Sequence, residues 1–207
     1  MATRDAEATR QNILDAVGRV LARDGFSGLG VNAIAKEAGI GKPLIYRYFG
    51  GLPQLLEEFG RDADFWLGID DILAEVERET GGAEQQDYGE LIRLALVGYA
   101  RVLRKRPMVV EILASELTAP AEIIAPLAKA RRDTGREALE EFLDGVEPPA
   151  GVDVDAIFGI FLASFHYLIL RGRVDSGFWS VPIDDEDEWA RFENAMSLII
   201  RQVFAET

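Results

Sequence analysis

Apolar residues recur at helical spacing along most of the chain, and no run alternates strictly as a half-buried strand would. From Glu7 to Arg23, Ile13, Leu14, Val17, Val20 and Leu21 fall on one helical face, and Asp24-Gly25 ends the run. A short helix from Val31 to Ala38 follows, then the turn Gly39-Ile40-Gly41, then a helix of about two turns from Lys42 to Phe49. Gly50-Gly51 breaks it. Pro53 suits the first turn of the next helix, which runs to about Leu67 with Leu55, Leu56, Phe59, Ala63 and Trp66 as its apolar stripe. Further helices are predicted over 70–79, 88–106, 108–117, 122–143, 154–172 and 186–205. Breaks fall at Gly81-Gly82, Pro107, Pro120, Pro148-Pro149-Ala150-Gly151 and Ser176-Gly177. No internal repeat or low-complexity segment is visible. The pattern predicts an all-α fold: three N-terminal helices over residues 1–50, then a larger helical domain over 51–207.

Residues 31–48 carry the most specific pattern. Ile34, Ala38, Ile40, Ile45 and Tyr48 can form a miniature core between two short helices, and Ala35 stands four residues before Gly39. A small side chain there admits a close helix approach, and a glycine admits a tight turn with φ > 0. That is a helix-turn-helix pattern. Burying Ile45 leaves Lys42, Pro43, Leu44, Tyr46 and Arg47 on the remaining surface of the second helix. Such a helix fits the major groove, where Lys and Arg donate to guanine acceptors and Pro or Leu meet thymine methyls. Tyrosine hydroxyls donate to phosphates. A helical hairpin that is simply core is the rival reading, and the exposed set favours DNA.

Charge supports that choice weakly. The chain has a formal net charge of −14, yet residues 1–50 hold seven Lys/Arg against five Asp/Glu, leaving 15 against 31 in the remainder. An N-terminal module with an anionic partner and a body that repels it would look like this. Hydrophobic content of 48% is ample for a core, and the absence of cysteine excludes a disulfide scaffold or thiolate metal site. The polar N-terminus, MATRDAEATRQN, shows no signal peptide. The longest apolar stretch, Ala156 to Leu170, is interrupted by Gly159, Ser164 and His166 and falls short of the roughly 20 residues of a membrane span. A soluble cytoplasmic protein without membrane association is expected.

Residues 7–59 resemble the DNA-binding domain of the tetracycline-repressor (TetR/AcrR) family of bacterial transcriptional regulators. The stretch that carries the resemblance is ILDAVGRVLARDGFSGLGVNAIAKEAGIGKPLIYRYFGGLPQLLEEF. Its marks are Gly25-Phe26, the core from Ile34-Ala35 to Ala38-Gly39, and Leu44-Ile45-Tyr46-Arg47-Tyr48-Phe49. The resemblance implies base contacts from Lys42, Pro43, Leu44 and Arg47, with Asn32 at the front of the preceding helix, and phosphate contacts from Tyr46 and Tyr48. Three departures stand out. Gly30 replaces a frequent capping Thr, Gly41 a frequent capping Ser, and Leu52-Pro53 the usual Lys before the fourth helix. Arg4 and Arg10 are then left to supplement backbone affinity.

The rest of the chain agrees with that family in length and helical content. Ala156–Leu170 is apolar nearly all round and is expected to be buried on several sides, in the core or between subunits. Trp189, Phe192, Met196, Leu198, Ile199, Ile200, Val203 and Phe204 form a second wide apolar helix. Two such helices pairing with their symmetry mates would give a four-helix dimer interface, the family's usual arrangement. Phe59, Phe65, Trp66, Tyr99, Met108, Phe158, Phe161 and Phe165 are candidates for an apolar effector pocket, each with core packing as its rival. His166, the only histidine, is either its polar anchor or a hydrogen-bonded core residue. One histidine cannot supply a di-iron bundle or a His-rich zinc site. Asp184–Glu188 reads as a helix N-terminus complementing its dipole, and Lys129, Arg131, Arg132 and Arg136 as a solvated ion-pair face. The expectation is a homodimeric, non-enzymatic regulator without metal or cofactor, with an operator DNA and a small-molecule effector as partners. A helical protein-interaction adaptor is the alternative.

Overall fold

The computed structural model describes residues 2–61, 66–81 and 87–205, the first four of these in backbone only. Ten helices follow one another among the described residues: α1 (Ala2–Asp24), α2 (Val31–Ala38), α3 (Lys42–Phe49), α4 (Leu52–Phe59), α5 (Ile69–Thr80), α6 (Tyr88–Arg104), α7 (Pro107–Ser115), α8 (Ala121–Phe142), α9 (Val154–Arg171) and α10 (Glu186–Phe204). A 3-10 turn, Phe26–Gly28, follows α1. The fold is all-α as expected, with one addition. Strands β1 (Gly177–Phe178) and β2 (Val181–Pro182) pair antiparallel between α9 and α10. Two residues per strand are too few for alternation to register in sequence.

The chain forms two compact units that do not follow chain order. The first comprises residues 1–66 and 107–135, the second 67–106 and 136–207. In the first, Ile13, Ala16, Val17 and Val20 of α1 meet Ile34, Ile45, Leu55 and Leu56 in a fully buried core. The Asn12 side chain donates to the Ala38 carbonyl at 2.8 Å, pinning the end of α2 to α1. Arg19 and Arg23 both reach Glu37, at 2.9 and 2.6 Å. The helix expected from Pro53 to about Leu67 ends at Phe59, where Gly60 caps it. Ala63 and Phe65 lie outside the described residues. Trp66 is buried and donates its indole N–H back to the Gly60 carbonyl, closing the end of α4.

In the second unit α6 is central. Ile92, Leu96, Val97 and Ala100 pack with Phe165, Leu168, Ile183, Trp189, Met196 and Ile200. Gly98 admits α5 closely, since a Cβ there would stand 3.3 Å from Ile72. Ion pairs lace this unit: Arg93, itself buried, bonds Glu90 and Glu79, and Arg101 bonds Glu79 and the buried Glu193. Trp189 donates to Glu193 at 3.1 Å while the Arg104 guanidinium lies over its ring at 4.4 Å. The acidic run before α10 acts as a helix start, Asp185 accepting from the Glu188 amide at 3.0 Å. On α8, the Lys129–Asp133 and Arg136–Glu140 pairs are solvated, as read from sequence, whereas Arg131 is largely buried and pairs with Glu116, just past the end of α7, in the first unit.

α9 is not buried on several sides by its own chain, which counts against the core alternative and not against the one between subunits. Only Phe165 and Leu168 are fully buried along it. Within one chain the helix meets α6 and the hairpin, which leaves Ile160 and Tyr167 exposed. With 18 residues it is the one described helix long and apolar enough, by length and composition alone, to cross a membrane. On α10, Trp189, Met196 and Ile200 are buried whereas Leu198, Ile199 and Val203 are exposed.

Candidate nucleic-acid interface

The interface is built from α2, the turn after it, and α3. α2 closes in a Schellman arrangement: the Ile40 amide donates to the Ala35 carbonyl at 3.0 Å and the Gly39 amide to Lys36 at 3.2 Å. The arrangement needs a left-handed residue, and Gly39 has φ 68°. A glycine costs little there, and a Cβ would be strained. The miniature core differs in detail from the sequence reading. Ile34, Ala35, Ile45 and Phe49 are its buried members, whereas Ala38, Ile40 and Tyr48 are half-buried. The reason is periodicity: Ile45 and Phe49, four residues apart, point inward together, so Tyr48 turns toward the rim.

Fixing that stripe fixes the opposite face. Lys42, Pro43, Tyr46 and Arg47 are exposed and Leu44 and Tyr48 half-exposed. Lys42–Tyr46 and Pro43–Arg47 are each four residues apart, so they form two short rows along the helix. Asn32 is exposed near the start of α2. Three arginines of this unit are engaged. Arg10 pairs with Glu58, donates to the Tyr48 carbonyl at 3.3 Å and lies over the Phe49 ring at 4.8 Å, which commits it to positioning α3 and α4. Arg19 and Arg23 hold Glu37 and, with their hydrogen bonds, keep its carboxyl below the ordinary glutamate range. Lys42 and Arg47 pair with no carboxylate among the described residues. The Arg4 side chain lies outside the described residues. Gly30 and Gly41 begin α2 and α3 without any side-chain cap, as the departures in sequence implied, and Gly51 begins α4 in the same way.

The effector candidates divide between the two units. Phe59 and Met108 line a groove of about 410 Å³ on the first unit, with Gln11, Leu14, Asp15, Gly18, Arg19 and Ala22. Spacing in α1 was the missed signal: Leu14, Gly18 and Ala22 recur every four residues. Trp66 is packed against the end of α4. Phe165 lies in the core of the second unit, with Phe158 and Phe161 against it. There too the Tyr99 hydroxyl and His166 Nε2 form a 2.7 Å hydrogen bond, so His166 is a hydrogen-bonded, half-buried residue. Phe65 lies outside the described residues. No group of three or more His, Asp or Glu among the described residues could hold a metal ion.

A short pair of helices joined by a glycine turn, with a buried inner stripe and an outer face of uncommitted cations and tyrosines, defines a helix-turn-helix domain. Residues 13–59 match the family described as bacterial regulatory proteins, tetR family. Over 55 residues the chain is 44% identical to an HTH-type transcriptional repressor from Streptomyces coelicolor, a stretch covering 27% of this chain and 29% of that protein. The likeness to this relative is therefore confined to less than a third of its length. The fold likeness runs further. The transcriptional regulator FadR from Bacillus subtilis in complex with stearoyl-CoA matches with TM-score 0.58 at 17% identity, over 92% of this chain and 96% of that one. FadR from Bacillus halodurans matches at 0.57 and 16%, over 93% and 94%. A TetR-family transcriptional regulator from Streptomyces coelicolor matches at 0.54 and 20%, over 95% and 99%. Residues 13–59 thus carry a domain similar to the tetR-family DNA-binding domain, and the likeness over the rest of the chain is one of fold.

Proposed function

We propose that the protein is a homodimeric, ligand-responsive transcriptional repressor that binds a palindromic operator and is released by a small apolar or amphipathic effector. The observation that carries this reading is the outer face of α3, whose Lys42 and Arg47 pair with no carboxylate among the described residues while Arg10, Arg19 and Arg23 of the same unit are all engaged. Lys42 and Arg47 donate to base edges, Pro43 and Leu44 meet thymine methyls, Asn32 approaches from α2, and Tyr46 and Tyr48 hold phosphates. Two copies related by a two-fold axis place their recognition helices about 34 Å apart, one helical turn of DNA. The exposed apolar faces of α9 and α10 supply the dimer contact. They are the surfaces a four-helix interface would cover.

Release runs through the chain's own connections. α3 is followed at once by α4, and Trp66 closes the end of α4 where the chain passes from the first unit to the second. An effector that prefers the released arrangement pulls on that closure. Coupling of about 1–3 kcal/mol is typical of such linkage. A fold relative that carries stearoyl-CoA supports an amphipathic effector class for this architecture. The test is site selection from a random DNA pool at low salt. An inverted repeat should emerge with half-sites about one turn apart. A pool without any enriched motif overturns the reading and favours the adaptor alternative.

A further inference from the structure

We propose that the β1–β2 hairpin is a rigid prong whose tip, Trp179, is buried against a second copy of this chain. The inference rests on the dimer proposed above and names a contact outside its two helices. Trp179 is 96% exposed in the single chain, whereas the other two tryptophans, Trp66 and Trp189, are 2% exposed each. A lone solvent-facing indole at a turn is not a place where the side chain helps its own fold.

The backbone makes the same point. Phe178 pairs with Val181, so Trp179 and Ser180 are a two-residue hairpin loop. Such loops require positive φ at their first position, which glycine or asparagine ordinarily supplies. Trp179 has φ 56° and is the one non-glycine residue with positive φ among the described residues. A bulky side chain held in that region is strained, and strain of this kind gathers where a side chain serves binding. The stem is fixed. The Phe178 ring meets the edge of Tyr167 of α9 at 5.3 Å, Ile183 is buried, and its amide donates to the Ser176 carbonyl at 2.9 Å.

Charge selects the occupant. Residues 51–207 carry 15 Lys/Arg against 31 Asp/Glu, yet residues 156–170 and 176–183 contain no charged side chain at all. Another equally acidic copy is repelled by the rest of this body and meets no like charge here, whereas a basic partner would prefer the carboxylate-rich surface. Area agrees. An aromatic side chain buries about 150–250 Å² against the roughly 800 Å² per partner of a standard interface. Trp179 alone supplies about a fifth to a third of it, beside the exposed Ile160, Tyr167 and Val174.

The experiment is acrylamide quenching of tryptophan fluorescence in the full-length protein, with sedimentation run at the same concentrations. Because Trp66 and Trp189 are buried, the quenchable emission reports Trp179, and Trp179→Phe provides the blank. In the dimer the Trp179 emission should be protected. Trp179→Gly removes the indole and relieves the positive φ, so it should leave the fold intact or more heat-resistant while weakening dimerisation about 30-fold or more, as for a central interface tryptophan. A dimer whose Trp179 stays fully quenchable, or a Trp179→Gly protein that dimerises as well as the parent, overturns the prong and leaves the α9–α10 dimer standing. A parent protein that sediments only as a monomer overturns both.

Discussion

α3 and α9 each leave one face uncovered by their own chain, and the two faces are chemical opposites. Around the inner stripe of α3, Ile45 and Phe49, stand two cations, two tyrosines, a proline and a leucine. Around the inner pair of α9, Phe165 and Leu168, stand Ile160, Ala163, Ser164 and Tyr167, without a charge along fifteen residues. A face like the first keeps its water when alone, and if a polyanion displaces that water, as proposed, the affinity gained depends on salt. The second loses free energy for as long as it stays wet, at about 25 cal/mol per Å² of apolar surface. A reading surface for DNA must be soluble alone and so is polar. A surface for a permanent partner is apolar, since it is seldom seen without one.

The largest test of this contrast is a charge placed on the apolar face. Ile160→Asp should weaken the dimer at least a hundredfold, about 3 kcal/mol, because a carboxylate would be buried without a partner. Palindrome binding should be lost with it. Sedimentation and gel shift on one sample check both, and a variant that remains dimeric removes α9 from the interface. Arg47→Ala tests the other face. It should cost about 1–3 kcal/mol of operator binding and relax sequence preference while the dimer stays intact. Tyr46→Phe should cost less and act evenly on all sequences.

Acid should separate the units by their ion pairs. Arg93 hydrogen bonds hold the Glu90 carboxyl below its ordinary range. At Glu75, burial raises the value but hydrogen bonds from Lys105 and Arg78 outweigh it, and the net shift is also downward. A lowered folded-state pKa stabilises the fold above the unfolded value, near 4.5, and that stability is lost as pH falls through the folded value. Glu37 is shifted the same way, but its pairs are at the surface and screened. Unfolding curves from pH 7 to 3 should therefore show the second unit weakening first. Unchanged order of melting would count against the buried network. The smallest effect belongs to the uncapped helices. Gly30 is extended, and no atom lies within 4 Å of where a Cβ would stand. Gly30→Ser should raise thermal stability by only a few tenths of a kcal/mol, and a larger loss would mean the site is not open.

Much of this is legible along the chain. Helices α2, α3 and α5 to α10 lie within a few residues of the predicted ranges, because each has apolar residues at helical spacing and most have a glycine or proline at an end. The candidate reading face follows from one buried position, Ile45. Other parts have no local signal. The helix after Pro53 reads too long in sequence because Ala63 and Trp66 continue its stripe, while Gly60 ends it with a closure that only Trp66's return to the Gly60 carbonyl reveals. Arg10 reads as a free cation in sequence and is an internal clamp in three dimensions.

The sequence by itself determined the helical period, the glycine turn between α2 and α3, and the chemistry of the face opposite Ile45, since these depend on neighbours within four residues. Tertiary structure decided what those rules cannot reach. It joined α7 and the first two-thirds of α8 to the N-terminal helices, many tens of residues away along the chain. It chose which side of α9 and α10 is core, because an all-round apolar helix has no preferred face until α6 packs on it. It also put a tryptophan at a hairpin tip that two-residue strands could not announce. Local periodicity records what a residue's own helix requires, whereas burial between distant segments depends on which of them meet.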